Sequence, residues 1–155
     1  MMMNLASEVL DILKGRTLVT AESLTGGGIG MTLTSIPGSS EVYKGGVITY
    51  TNEAKEEMLG VSRDVLEKKG AVSAPVAEAM ASGIRSRLNA DVAVSVTGLA
   101  GPGGDEFGNP VGTVFIGYSD NRGTVSKEYH FAGNRSAVRQ QTIMEALQEI
   151  IAYNC

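Results

Sequence analysis

The sequence predicts a single α/β domain in which helices cover both faces of a mixed β-sheet. Helical and strand patterns are interspersed along its 155 residues, which is about the length of one domain. Two strand patterns near the end are joined by the short turn DNRG, which is typical of an antiparallel hairpin. Apolar residues make up 43% of the chain and charged residues 19%, as in globular proteins. We therefore expect one three-layer domain over residues 1–155.

The first half of the chain contains two predicted helices, each followed by a strand. Leu5, Val9 and Ile12 recur at helical spacing, so the opening segment predicts an amphipathic helix. A later glycine-containing helical pattern ends at Pro37 and Gly38, which favour a turn. The predicted elements are a helix over 3–15, a strand over 17–21, a helix over 26–36 and a strand over 45–50.

The second half begins with three helices, and each has a capping signal. Asn52 is the predicted N-cap of the first, which ends at Gly60, while Ser62 and Ser73 precede the next two. The apolar run DVAVSVTG then predicts a buried strand. The predicted elements are helices over 52–60, over 63–70 and from Ser73 onward, strands over 91–98, 111–119 and 124–132, and a helix over 134–153.

Composition excludes several classes of protein. A net charge of −4 argues against binding to duplex DNA, and no apolar run reaches the roughly 20 residues of a membrane helix. The first segment lacks the basic start of a signal peptide. Cys155 is the single cysteine, so no internal disulfide forms, and we expect a cytoplasmic location. His130 is the single histidine, and we predict neither a metal site nor a cofactor.

Two glycine-rich loops follow predicted strands. TGGGIG, at 25–30, opens a helix, so its N–H groups either face an anion or allow close packing of the helix on the strand. It has neither the dinucleotide-binding spacing nor a Walker lysine. TGLAGPGG, at 97–104, ends the buried strand, where open α/β sheets commonly bind ligands; the alternative is a plain turn.

Ser40, Tyr50 and Lys55 lie around one predicted strand. With Asn52 as the N-cap, Lys55 is the third residue of a helix, where the positive end of the helix dipole disfavours a cation. That repulsion, together with burial, would lower the pKa of the lysine and leave a neutral amine able to act as a base. Two neighbouring glutamates oppose this effect. The alternative is a solvated surface lysine.

Five segments together resemble the C-terminal domain of the CinA family, the nicotinamide-nucleotide amidohydrolases of the PncC type. They are AESLTGG, GSSEVYKGGVITYTNEAK, GAVSAPVAEAMA, SVTGLAGPGG and HFAGNRSAVRQQ, and the resemblance runs in order from about residue 5 to residue 150. It implies hydrolysis of the carboxamide of nicotinamide mononucleotide, without a metal, to nicotinate mononucleotide and ammonia. The molybdopterin-binding-like module of longer CinA proteins is missing, so we expect the stand-alone form.

The resemblance also implies roles for individual residues. Ser40, in GSS, is the expected nucleophile, Lys55 its base and Tyr50 an assistant, while Arg135 or Arg139 meets the substrate phosphate. The family commonly has cysteine at the position of Leu24, which leaves the role of Ser23 open among nucleophile, phosphate ligand and cap. The expected substrate-binding residues are Ser23, Thr25, Gly26, Gly27, Thr97, Gly98, Gly101, Arg135 and Arg139.

We therefore expect an enzyme whose partner is a small nucleotide, with no nucleic acid or membrane partner, and which forms a homo-oligomer. The alternative is a non-catalytic nucleotide-binding domain on the same fold, because a fold does not guarantee an activity. The joint presence of a serine, a tyrosine and a lysine around one strand favours the enzyme, since a binding module has no need for all three.

Overall fold

A computed structural model describes residues 1–155 as a five-stranded sheet flanked by six α-helices. The elements are α1 (Met2–Ile12), β1 (Leu18–Glu22), α2 (Gly28–Thr34), a 3₁₀ turn (Ser39–Glu41), β2 (Tyr43–Ile48), α3 (Asn52–Leu59), α4 (Arg63–Lys69), α5 (Ala74–Arg87), β3 (Val92–Gly98), β4 (Thr113–Asp120), β5 (Gly123–His130) and α6 (Arg135–Asn154). Together they confirm the predicted single α/β domain with a mixed sheet.

The sheet has the strand order β2-β1-β3-β4-β5. β1 pairs in parallel with both β2 and β3, whereas β3, β4 and β5 are antiparallel to one another. The predicted hairpin over the last two strands is therefore confirmed. Because the first three strands are parallel, their carboxyl ends meet at one edge of the sheet, where open α/β sheets place their ligands.

Helices cover both faces of the sheet, and each face has its own apolar core. α1, α2 and α6 pack on the face that carries Leu18 and Val94, whereas α3, α4 and α5 pack on the face that carries Val19 and Ala93. This division follows from the period of two along a strand, which sends successive side chains to opposite faces. None of the helices combines the length and the apolar character needed to cross a membrane.

Several predicted boundaries differ from the observed ones by a few residues. α3 begins at Asn52, and its cap is Thr51, whose hydroxyl accepts a hydrogen bond from Ala54 N at 3.1 Å. Asn52 is thus the first helical residue rather than the N-cap, because the extended backbone of Thr51 places its side chain over the open end of the helix. Ser62 and Asn134 cap α4 and α6 through their side chains.

Candidate active site

A buried serine–lysine pair lies at the carboxyl edge of the sheet. The Nζ of Lys55 is 3.0 Å from the Oγ of Ser23, a distance suited to proton transfer between a nucleophile and its base. Only 1% of Lys55 is exposed, which makes it the largest fully buried side chain in the protein. The lysine is therefore not the solvated surface residue of the alternative interpretation.

The parallel pairing of β1 and β2 brings these two residues together. The last paired positions of the two strands are Glu22 and Ile48. Ser23 is the residue directly after β1, and Lys55 lies at the start of α3, a few residues after β2. Both chains therefore leave the sheet at the same edge, and α3 folds back over the face to which Ser23 points.

Burial lowers the pKa of Lys55 to about 8. Its Nζ donates a hydrogen bond to Thr49 O at 2.7 Å, and no carboxylate forms a salt bridge with it. One of the neighbouring glutamates, Glu56, pairs instead with Arg63 at 2.9 Å. Desolvation thus acts without an opposing negative charge, and a substantial fraction of the lysine is neutral at mildly alkaline pH.

Ser23 and Lys55 open into a cavity of about 300 Å³, a size that suits a small ligand. The carboxyl end of β3 and the loop after it form much of the wall, and apolar side chains make up about half of the lining. The lining residues are Ser23, Leu24, Tyr50, Lys55, Ala71, Val72, Thr97, Gly98, Leu99, Ala100, Gly101, Gly103 and Arg135.

Arg135 adds a positive charge to this cavity from the first residue of α6. Its guanidinium donates hydrogen bonds to Gly101 O at 2.8 Å and to the hydroxyl of Tyr50 at 3.0 Å. Both Arg135 and Tyr50 are exposed to solvent. The cavity therefore has an uncharged, partly apolar wall, a buried amine next to a serine, and an exposed guanidinium.

The predicted pairing of Ser40 with Lys55 is wrong. Ser40 is an exposed residue of the 3₁₀ turn that precedes β2, whereas Tyr50 and Lys55 follow β2. A six-residue strand spans roughly 20 Å, so its two ends lie at opposite edges of the sheet. Lys55 contacts Ser23 instead, at 3.0 Å.

Of the remaining predicted site residues, some line the cavity and some do not. Thr97, Gly98, Gly101 and Arg135 line it, as do Tyr50 and Lys55. The others, Thr25, Gly26, Gly27 and Arg139, are absent from its lining. The hydroxyl of Thr25 is bonded to Glu22 at 2.5 Å, because the turn after Ser23 leads the chain to the opposite face of the sheet.

Sequence reasoning missed Glu22, a carboxylate that holds the glycine turn. Its side chain accepts hydrogen bonds from Ile29 N at 2.9 Å and Gly30 N at 3.0 Å as well as from Thr25, and it is 98% buried. The signal was an acidic residue directly after the predicted strand, at the last position of β1. TGGGIG therefore uses its first helical N–H groups to bind a carboxylate of its own chain. No three acidic, histidine or cysteine side chains are grouped as metal ligands.

The fold and the site define a class: a three-layer α/β domain with a serine–lysine pair in a cavity at the carboxyl ends of its parallel strands. The model of the CinA C-terminal domain matches residues 2–153. The chain therefore belongs to the CinA C-terminal domain family, which confirms that part of the resemblance found in the sequence.

Relatives of known sequence and structure agree with this assignment. The CinA-like protein of Thermosynechococcus vestitus is 49% identical over 148 residues, which are 92% of this chain and 36% of that protein. The chain thus spans about a third of the length of the CinA-like proteins it matches. The competence/damage inducible protein CihA of Agrobacterium tumefaciens, whose crystal structure is known, is 40% identical in sequence. The superposition covers 99% of this chain and 96% of the CihA chain, with a TM-score of 0.95.

Proposed function

We propose that this domain is a metal-independent amidohydrolase in which Ser23 is the nucleophile and Lys55 the general base. The observation that carries the proposal is the 3.0 Å contact between Lys55 Nζ and Ser23 Oγ inside a cavity. A serine hydroxyl is a weak nucleophile until a neighbouring base accepts its proton. A neutral amine at this distance can accept that proton.

The reaction proceeds in two halves. Ser23 Oγ attacks the carboxamide carbon and Lys55 takes the serine proton, which gives a tetrahedral intermediate with a negatively charged oxygen. Lys55 then returns the proton to the leaving nitrogen, ammonia departs, and the acyl group stays on Ser23 as an ester. Water, deprotonated by Lys55, hydrolyses that ester to the free carboxylate and restores the serine.

The family resemblance implies nicotinamide mononucleotide as the substrate, and the lining of the cavity is compatible with this molecule. Leu24, Val72 and Leu99 provide apolar surface for a pyridine ring. Arg135 offers a guanidinium for the phosphate, because its planar fork can bind two oxygens at once. Tyr50 holds that guanidinium through its hydroxyl, so in this assignment it orients the phosphate ligand.

The test compares two serines. Ser23→Ala should lower the rate of ammonia release from nicotinamide mononucleotide by at least about 10⁴-fold, as expected when a nucleophile is removed. Ser40→Ala should keep near-normal activity, since Ser40 is exposed and outside the cavity. Ser23→Ala, which does not consume the mononucleotide, should still bind it in calorimetry.

An active Ser23→Ala enzyme would refute the mechanism. If the wild-type protein binds the mononucleotide without releasing ammonia, the alternative of a non-catalytic nucleotide-binding domain holds instead. Nicotinamide riboside, which lacks the phosphate, serves as the substrate control, and its KM should be much higher than that of the mononucleotide.

A further inference from the structure

Arg139 contacts the turn that follows Ser23 from the side opposite to the cavity. Its Nε donates a hydrogen bond to Leu24 O at 3.0 Å and its Nη2 donates to Thr25 O at 3.4 Å. These two carbonyls belong to the centre of the turn Ser23–Gly26, in which Gly26 N donates to Ser23 O at 3.1 Å. One guanidinium thus holds two consecutive peptide units immediately after the nucleophile.

The amide N–H groups of Leu24 and Thr25 donate to no acceptor within the chain, although both residues are buried. In a planar trans peptide the carbonyl and the following N–H point in opposite directions. Arg139 draws Leu24 O toward α6, on the α1, α2 and α6 face of the sheet. The N–H of Thr25 is therefore directed away from α6, toward the face on which Ser23 meets Lys55.

Glycines in and after the turn allow α6 to approach closely enough for Arg139 to contact the turn. Gly26 has a φ of +59°, and a Cβ there would lie 3.4 Å from Nη2 of Arg139. One helical turn further along α6, Ile143 packs so closely on Gly28 that a Cβ on the glycine would lie 2.5 Å from its Cδ1. α6 therefore presents two side chains, four residues apart, against the start of the glycine segment.

We propose that Arg139 is a positioning residue that orients the Thr25 N–H as an oxyanion-binding donor of this site. This inference rests on the proposed function of Ser23. Backbone N–H groups next to a nucleophile stabilise the negative oxygen of the tetrahedral intermediate, and they do so best when their direction is set in advance. The assignment replaces the predicted role of Arg139 as a phosphate ligand, because its side chain is not part of the cavity lining.

The experiment compares Arg139→Ala and Arg139→Lys with Gln140→Ala. Gln140 is the exposed neighbour on α6, so it is the matched control. Two activities are measured: kcat and KM for nicotinamide mononucleotide, and the rate at which phenylmethanesulfonyl fluoride modifies Ser23, followed by intact mass. The second activity needs the nucleophile and the oxyanion donors but not the nucleotide site.

Arg139→Ala should lower kcat by about 100-fold, the scale of losing one oxyanion donor, with KM changed less than about threefold. Sulfonylation of Ser23 should slow to a similar degree. Arg139→Lys keeps the charge but lacks the planar fork that bonds both carbonyls at once, so its kcat should be intermediate. Added methylguanidinium should restore part of the activity of Arg139→Ala, and Gln140→Ala should behave as wild type.

A raised KM with unchanged kcat in Arg139→Ala would overturn the inference and make Arg139 a substrate ligand. Should Arg139→Ala fail to fold, Arg139→Lys decides: wild-type kcat and sulfonylation would refute the positioning role, and a reduced kcat at normal KM would support it. Failure of the proposed function has a different signature. The wild-type protein would release no ammonia while its Ser23 would still be sulfonylated faster than in the Arg139 variants. That result would reject nicotinamide mononucleotide as the substrate and would support the positioning role of Arg139.

Discussion

Two buried ionisable side chains lie on opposite faces of the sheet, and they differ in what surrounds them. Lys55 faces a cavity and contacts a serine hydroxyl, whereas Glu149, in α6, lies outside that cavity and accepts a hydrogen bond from Tyr129 at 2.7 Å. Burial shifts the pKa of both toward neutrality, to about 8 for the lysine and about 7 for the glutamate. A perturbed pKa therefore indicates chemistry only where a nucleophile and a cavity accompany it.

Glu149 also shows the cost of burial without a site. Its Oε1 is buried without a hydrogen-bond partner, and the nearby Glu145 adds to the effect of desolvation. The hydrogen bond from Tyr129 and the positive charge of Lys127 partly oppose the rise in the pKa. We regard Glu149 as a structural residue whose charge is tolerated between α6 and the sheet.

The largest effect that we expect is a loss of activity on substitution of Lys55 that substitution of Glu149 does not cause. Lys55→Met should lower kcat/KM for the mononucleotide by at least about 10³-fold, since the base is lost. Lys55→Arg should be equally inactive, because a guanidinium keeps its proton at any working pH. Glu149→Gln should stay within about twofold of wild type. Steady-state assays of ammonia release on the three proteins decide the matter, and an inactive, folded Glu149→Gln would contradict the comparison.

The pH dependence of activity should follow Lys55 alone. The base must be neutral, and Lys55 is protonated below its pKa of about 8. The value of kcat/KM should therefore fall about tenfold per pH unit below pH 8 and level off above it. Glu149→Gln should show the same profile, because Glu149 is outside the cavity. If the decrease in kcat/KM is centred near pH 7 and disappears in Glu149→Gln, then Glu149 rather than Lys55 controls the activity, and this prediction is wrong.

Ionisation of Glu149 should change the free energy of unfolding, which is a smaller effect than the loss of activity. Its pKa in the folded protein lies above the ordinary value of 4.5, so the folded state binds a proton that the unfolded state releases. Stability is therefore full below about pH 4.5 and falls as the pH rises through 7. Glu149→Gln should raise the free energy of unfolding by about 1–2 kcal/mol at pH 8 and much less at pH 4.5. Urea unfolding at both pH values measures this, and equal changes at both would exclude ionisation as the cause.

Lys55 and Glu149 also differ in how far the sequence alone indicates their environment. The predicted importance of Lys55 came from its place at the start of a helix, and the structure confirms its burial and its depressed pKa. The cause of the lowered pKa is desolvation by burial rather than the helix dipole. The N-cap is Thr51, so Lys55 lies one residue further from the helix start than the sequence predicted. Glu149 lay unnoticed in an ordinary helical pattern, because nothing local to it indicates which face of α6 meets β5.

By itself, the sequence determined the elements of this protein: period, capping residues and glycine turns are local properties, and they were enough for the α/β class, the hairpin and the family resemblance. The choice between Ser23 and Ser40 depended on strand order and direction. The parallel pairing of β1 with β2 gathers Ser23, Tyr50 and Lys55 at one edge and leaves Ser40 at the other. That pairing is set by long-range burial of the two sheet faces, so only the tertiary structure decided which serine meets the lysine.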